Sequence, residues 1–234
     1  MTIRPPARSP GSRATPDGGT LHAQSRLRGA ARSRETARLL SRLKSCKEGR
    51  ALLAEKPVLD GETCDLPDLL RLPRGTFGRE YAEWMRANGF DPGADDPPPD
   101  PTADPDARYV CERMARAHDL WHVLTGYNCD EDGERGLLAF SLGQTGSREI
   151  AAHLRAVVRD EIRFAWRTGD REWRHLLGYL WRGWRCGRRA RLLAAVSLED
   201  YFALPLDSVR QRLGIEPAAE AYSGHSLPPI AVPA

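Results

Sequence analysis

Apolar residues return every three or four positions along most of this chain, and almost nowhere do they alternate. Leu39, Leu40, Leu43, Ala51 and Leu52 make one such stripe with basic residues between them, and predict a helix over 35–54 that Pro57 stops. A second, short helix is expected at 66–73, with Pro67 suited to a first-turn position. After the turn Pro73-Arg74-Gly75, Thr76 reads as the N-cap of a helix carrying Tyr81, Trp84 and Met85, which Asn88-Gly89 ends. The strongest pattern begins at Pro105. Tyr109, Val110, Met114, Ala117, Trp121 and Leu124 predict one long amphipathic helix closed by Gly126. An acidic loop, 128–133, then precedes a helix opened by Glu134 and running through Leu137, Leu138, Phe140 and Leu142. Two Trp- and Arg-rich helices follow at 148–166 and 171–195, and a short one at 206–213. No convincing alternating run and no internal repeat interrupts this. The expected fold is all-α, a single helical domain over 35–217.

The flanks read differently. Residues 1–34 are dominated by Gly, Pro, Ser, Thr and Arg, with too little apolar surface to offset the entropy of ordering, and are expected to be disordered. Three readings of this tail stay open: a solvated extension, or a start placed too early; an electrostatic arm for anionic lipid or nucleic acid; or an Arg- and Ser-rich mitochondrial transit peptide. Residues 91–105 form an acidic, Pro-rich linker, and 218–234 a flexible tail.

Composition narrows the class. Among 234 residues, 41% are hydrophobic and 29% charged, which is ordinary for a globular protein. No apolar run reaches the length of a membrane span, and no apolar segment of signal-peptide type follows the N-terminus. Five cysteines without a C-x-x-C pair argue against a disulfide framework or a Cys-rich zinc module, and fit a reducing compartment. The net charge of +3 conceals a basic stretch before residue 50, an acidic middle and a mildly basic end.

One constellation carries chemistry. His118 and His122 stand at i and i+4 in the best helix, so both imidazoles can reach one ion. Asp119 lies about 100° around that helix and can swing toward the same point. Glu134 opens the next helix, and if the two helices pair its carboxylate returns to the histidine face. Imidazole plus carboxylate suits zinc, Fe(II), manganese or cobalt, and without thiolates an open catalytic site is favoured over a closed structural one. The bland reading remains: two such histidines also occur by chance in a core, beside a capping Asp. H-E-x-x-H is absent because position 119 is Asp, and the acidic loop lacks EF-hand spacing. A phosphohydrolase resting on the His-Asp pair would need further separated ligands.

His118-Asp119-Leu120-Trp121-His122, eleven residues and Glu134 resemble the H-D-x-x-H…E signature of the coenzyme Q biosynthesis protein 4 family. LPRGTFGREYAEWMRANGFDP (72–92), HVLTGYNCDEDGE (122–134), Arg113 five residues before His118, and LWRGWRCGRRARLLAAVSLEDYFALPLDSVRQRLGI (180–215) extend the likeness over about 36–217. Trp121 occupies a variable position of the motif. The resemblance implies an all-α fold and a role in ubiquinone biosynthesis. It implies a divalent metal, zinc by family, at His118, Asp119, His122 and Glu134. Two activities go with it: oxidative decarboxylation of a polyprenylated benzoquinone precursor, or a non-catalytic lipid-binding scaffold for other ubiquinone biosynthesis proteins. Arg113 is then either a partner for the substrate carboxylate or a structural ion-pair residue. The resemblance also favours a homo-oligomer, on the cytoplasmic face of a bacterial inner membrane or the matrix face of the mitochondrial one.

A lipid-borne precursor implies contact with a membrane. Trp166, Trp173, Trp181 and Trp184, interleaved with Arg182, Arg185, Arg188, Arg189 and Arg191, have the character of interfacial helices on an anionic surface. Alternatively the Trp and Leu residues line the core or a tail-binding groove while the arginines are solvated. Gly183-x-x-x-Gly187 has close-packing spacing but no apolar 20-mer around it. No nucleic-acid-binding signature accompanies the basic residues, so nucleic acid is not expected as a partner.

Overall fold

The structure, a computed structural model, describes residues 34–92, 104–169 and 173–218. The expectations for the N-terminal tail up to residue 33, for the centre of the acidic linker and for the chain after 218 therefore lie outside the described residues. Within them the architecture is all-α: α1 (Arg34–Ser45), α2 (Lys47–Glu55), α3 (Leu66–Leu69), α4 (Phe77–Asn88), α5 (Pro105–Arg116), α6 (His118–Thr125), α7 (Glu131–Thr145), α8 (Arg148–Thr168), α9 (Trp173–Arg189) and α10 (Leu206–Leu213). No strand occurs among the described residues, only an isolated bridge between Thr76 and Pro205.

Several boundaries differ from the periodicity, each for a local reason. The segment 35–54 is two helices, because Cys46 leaves helical geometry and its thiol accepts the Gly49 N–H as an N-cap. The long helix from Pro105 breaks once, at Ala117, where ψ is −6°. The last helix of the Trp-rich pair stops at Arg189, not 195. There the Arg191 N–H is taken by the Leu213 carbonyl and the Leu193 N–H by Gln144 Oε1, so tertiary acceptors replace helical ones. Ala218 is buried, so packing reaches the last described residue, one beyond the expected domain end.

Thr76 occupies the N-cap position with extended backbone, but its hydroxyl does not cap. It donates to the Pro73 carbonyl, while the Phe77 and Gly78 N–H groups are satisfied by the carbonyls of Leu204 and Phe202. The T-F-G segment is thus a docking point: the loop before α10 ties down the first turn of α4. A Cβ on Gly78 would sit 2.8 Å from Phe202 Cβ, so glycine is what allows that approach.

The main core joins α4, α6, α7, α9 and α10 around Phe77, Tyr81, Leu120, Leu124, Phe140 and Leu213. A second cluster packs α1 and α2 on α5 through Leu43, Leu52 and Val110. Helices α7 and α9 meet unusually closely, and Gly183-x-x-x-Gly187 is the reason. A Cβ at position 187 would lie 2.1 Å from the Phe140 carbonyl oxygen, and one at 183 would lie 2.8 Å from that of Gly136. Both clashes are with backbone, which cannot step aside. Gly187→Ala is therefore expected to cost about 1–3 kcal/mol, as overpacking does. Thermal denaturation should show a midpoint several degrees lower, and an unchanged midpoint would contradict this packing.

Candidate metal centre

Helix α6 ends at Gly126 with φ 74°, and the chain doubles back through Tyr127 to Asp130, which N-caps α7 by accepting the Gly133 N–H at 2.7 Å. The acidic residues Glu131 and Asp132 thus belong to the first turn of α7, where the helix dipole favours them, not to a loop. Gly133 is needed here, since a Cβ would fall 1.9 Å from the Asn128 carbonyl oxygen. This tight return places Glu134, in the first turn of α7 and not opening it, against the histidine face of α6.

There Glu134 Oε1 lies 3.1 Å from His122 Nε2, and Oε2 lies 3.6 Å from His118 Nε2. One donor atom from each of His118, His122 and Glu134 falls within 4.8 Å of the others. The imidazoles stand edge to face with centroids 4.7 Å apart. Each has its other nitrogen engaged. His122 Nδ1 lies 3.0 Å from the Tyr127 carbonyl oxygen, which can only accept, so Nδ1 carries the proton. His118 Nδ1 lies 3.3 Å from Asp119 Oδ1. Both Nε2 atoms are thereby presented to the Glu134 carboxylate. Neutral imidazoles would aim lone pairs at an anion, an arrangement that needs either extra protons or a cation between the three groups. The donor set and the hydrogen bonds behind it fit a divalent metal.

Asp119 follows the sequence expectation only in part. Its carboxylate reaches the site through His118 Nδ1, and it is not among the three converging donors. Arg113 goes elsewhere. It is 5% exposed and donates to Glu199 Oε2 at 2.6 Å and to the carbonyls of Pro57 and Val196. Of the two roles open from sequence, the structure gives it the ion-pair one, because its fork is spent joining α5 to the segment after α9.

Two supports were not legible as site residues. Trp84 of α4 stacks on the His122 ring, centroids 5.3 Å apart and 19° from parallel. Arg210 of α10 donates to the carbonyls of Leu124 and Val123 at 3.0 Å, capping the last turn of α6. His122 is only 1% exposed, so the ring is fixed by packing as well as by hydrogen bonds.

In the metal-free state the neighbouring charges shift His118 and Glu134. Burial opposes the His118 cation, but the carboxylates of Asp119 and Glu134 overcome it and raise its pKa from 6.5 to about 9. Burial likewise opposes ionised Glu134, but the two histidines hold its pKa at about 2, down from 4.5. The raised His118 contributes stability that is complete below pH 6.5 and lost as pH rises through about 9. The depressed Glu134 contributes stability that is complete above pH 4.5 and lost as pH falls toward about 2. Chelator-treated protein is therefore expected to melt highest between pH 4.5 and 6.5 and to weaken above it. A melting temperature that keeps rising from pH 7 to about 9 would contradict this pairing.

Residues 23–219 match the model of the family described as coenzyme Q (ubiquinone) biosynthesis protein Coq4. The chain belongs to that family. Among its relatives, the mitochondrial ubiquinone biosynthesis protein coq4 of Talaromyces stipitatus is 31% identical over 179 residues, covering 76% of this chain and 60% of the relative. That of Aspergillus niger is 32% identical, with 76% and 59% covered. The chain thus spans about 60% of the length of the curated relatives it matches. A crystal structure of a candidate ubiquinone biosynthesis protein from Nostoc punctiforme superposes with a TM-score of 0.64 at 25% identity, covering 85% of this chain and 89% of that one. For this member of the Coq4 family, no helix among the described residues is long and apolar enough to cross a membrane.

Proposed function

We propose that the protein acts in ubiquinone biosynthesis as a metal-dependent enzyme, removing the ring carboxylate of a polyprenylated hydroxybenzoate-type precursor and putting a hydroxyl in its place. The observation that carries this reading is the convergence of His118, His122 and Glu134, two imidazoles and one carboxylate with their outer hydrogen bonds in place. Family membership, and the names of the relatives, supply the pathway.

Three protein donors are fewer than a closed structural zinc site uses, and the set resembles the two-histidine, one-carboxylate arrangement of non-haem iron oxygenases. When bound there, a divalent metal would supply Lewis acidity toward the substrate's phenol and carboxylate and a place to activate dioxygen. This chain's own residues do the rest. Tyr127 and Asp119 hold the imidazole tautomers, Trp84 and Arg210 hold the helix that carries them, and Glu134 balances the charge. In the overall step the ring carbon loses carbon dioxide and gains one oxygen atom from dioxygen. The second oxygen leaves as water, with two electrons and two protons from an external donor. The reaction takes place at a membrane surface, on a substrate delivered by other ubiquinone biosynthesis proteins.

The test is metal-loaded protein with dioxygen, a chemical reductant and precursor labelled in its carboxyl carbon. Labelled carbon dioxide and a hydroxylated ring, with oxygen drawn from labelled dioxygen, support the reading. If no product forms, while a Glu134→Gln variant still restores ubiquinone in cells lacking the protein, the scaffold role replaces it.

A further inference from the structure

Helices α8 and α9 expose a face that the helical core does not cover. Although α8 has 21 residues, only Ile150, Leu154 and Ala165 are buried. Between α8 and α9 runs an open groove of about 670 Å³, floored by Leu154, Val158, Ile162, Leu177 and Leu180 and edged by Arg155, Arg159 and Arg163. Beside it stand large aromatic side chains in solvent: Trp166 is 87% exposed and Trp181 58%. Trp181 packs against Trp184, and the Arg188 guanidinium lies over the Trp184 ring. From 148 to 189 the sequence holds eleven arginines and five acidic residues, an excess of six positive charges.

Exposed indoles beside an apolar groove are unfavourable in water and favourable at the boundary between headgroups and acyl chains. Arginines around them are attracted to anionic headgroups. A second copy of the same face is a poor match, because a two-fold contact sets like surfaces, and here arginine rows, against each other. Asp160 pairs with Arg159 and Arg163, yet the excess of six positive charges over 148–189 would go unanswered by a neutral partner.

We propose that the α8–α9 face is the surface on which the protein sits on an anionic lipid bilayer, with Trp166 and Trp181 entering the headgroup boundary. This rests on the reading above that the substrate is lipid-borne, and names the partner that presents it. The aromatic and basic residues singled out from the sequence thereby divide. Trp184 lies at the groove, and Trp166 and Trp181 belong to the docking surface.

The experiment is co-sedimentation of the full chain with vesicles of phosphatidylcholine alone and of phosphatidylcholine containing phosphatidylglycerol. It compares wild type, a Trp166→Ala/Trp181→Ala variant and an Arg159→Glu/Arg163→Glu variant. Wild type should bind the anionic vesicles, release with salt, and show tryptophan emission quenched by brominated acyl chains. Each double variant should bind at least about tenfold more weakly, with unchanged metal content and unchanged turnover of a short-chain, detergent-free precursor. Equal binding to neutral and anionic vesicles, or no loss in either variant, overturns the proposal. So does a wild-type dimer that the Trp variant converts to monomer, since the face is then an interface between copies. The two readings fail separately. Vesicle binding without turnover leaves the surface standing and removes the chemistry, whereas turnover of detergent-solubilised precursor without vesicle binding does the reverse.

Discussion

His122→Ala is expected to lose both metal and turnover while the helical fold survives. Three contacts converge on this ring: the Tyr127 carbonyl behind it, Glu134 in front, and Trp84 stacked on its face. Losing an outer hydrogen bond to a metal ligand commonly costs 10- to 100-fold in affinity or activity, so losing the ligand itself should cost more than about a hundredfold. The fold should persist at a lower melting temperature, because emptying a buried site of this size costs about 2–4 kcal/mol against a typical total of about 5–15. Circular dichroism, metal analysis and product formation on the same preparation check all three. A folded variant that keeps its metal would contradict the assignment of His122.

Arg113→Met is expected to have the largest effect on stability and none of its own on metal affinity. The guanidinium is buried, and Glu199, its partner, is nearly so; Glu199 Oε1 has no hydrogen-bond partner and Oε2 has Arg113. Removing the cation strands a buried carboxylate and the carbonyls of Pro57 and Val196. Breaking such a pair from one side costs about 3–5 kcal/mol, whereas replacing both members by apolar residues is often near neutral. Denaturant unfolding of Arg113→Met, Glu199→Leu and the double variant tests this. The double variant should be more stable than either single one, and strict additivity would refute the pair as described.

The two predictions separate what local sequence can and cannot encode. His118, His122 and Glu134 were legible because i, i+4 spacing fixes a helix face and a glycine-bounded turn returns the next helix to it. Helix termini at Gly89 and Gly126 were legible because each glycine takes the left-handed conformation that stops a helix. Arg113 was not, since its partners lie 56, 83 and 86 residues away and no spacing rule points to them. The same holds for Trp84, whose ring meets His122 only after α4 has docked, and for Gly183 and Gly187, whose meaning depends on which backbone they face. The helix expected through residue 195 kept its apolar pattern beyond Arg189, but Gln144 and Leu213 offered hydrogen bonds that ended it. Asp119 stood at the right angle for the site, and its carboxylate found the neighbouring imidazole first.

The most direct measurement is elemental analysis of wild-type protein and Glu134→Gln, purified in parallel and loaded with the same divalent metals. Glutamine keeps the shape of the side chain and removes the charge that gathers the two imidazoles. One equivalent of metal per wild-type chain is expected, and far less in the variant, with equal helical content. A wild-type protein that holds no metal, or a variant that holds as much as wild type, would contradict it.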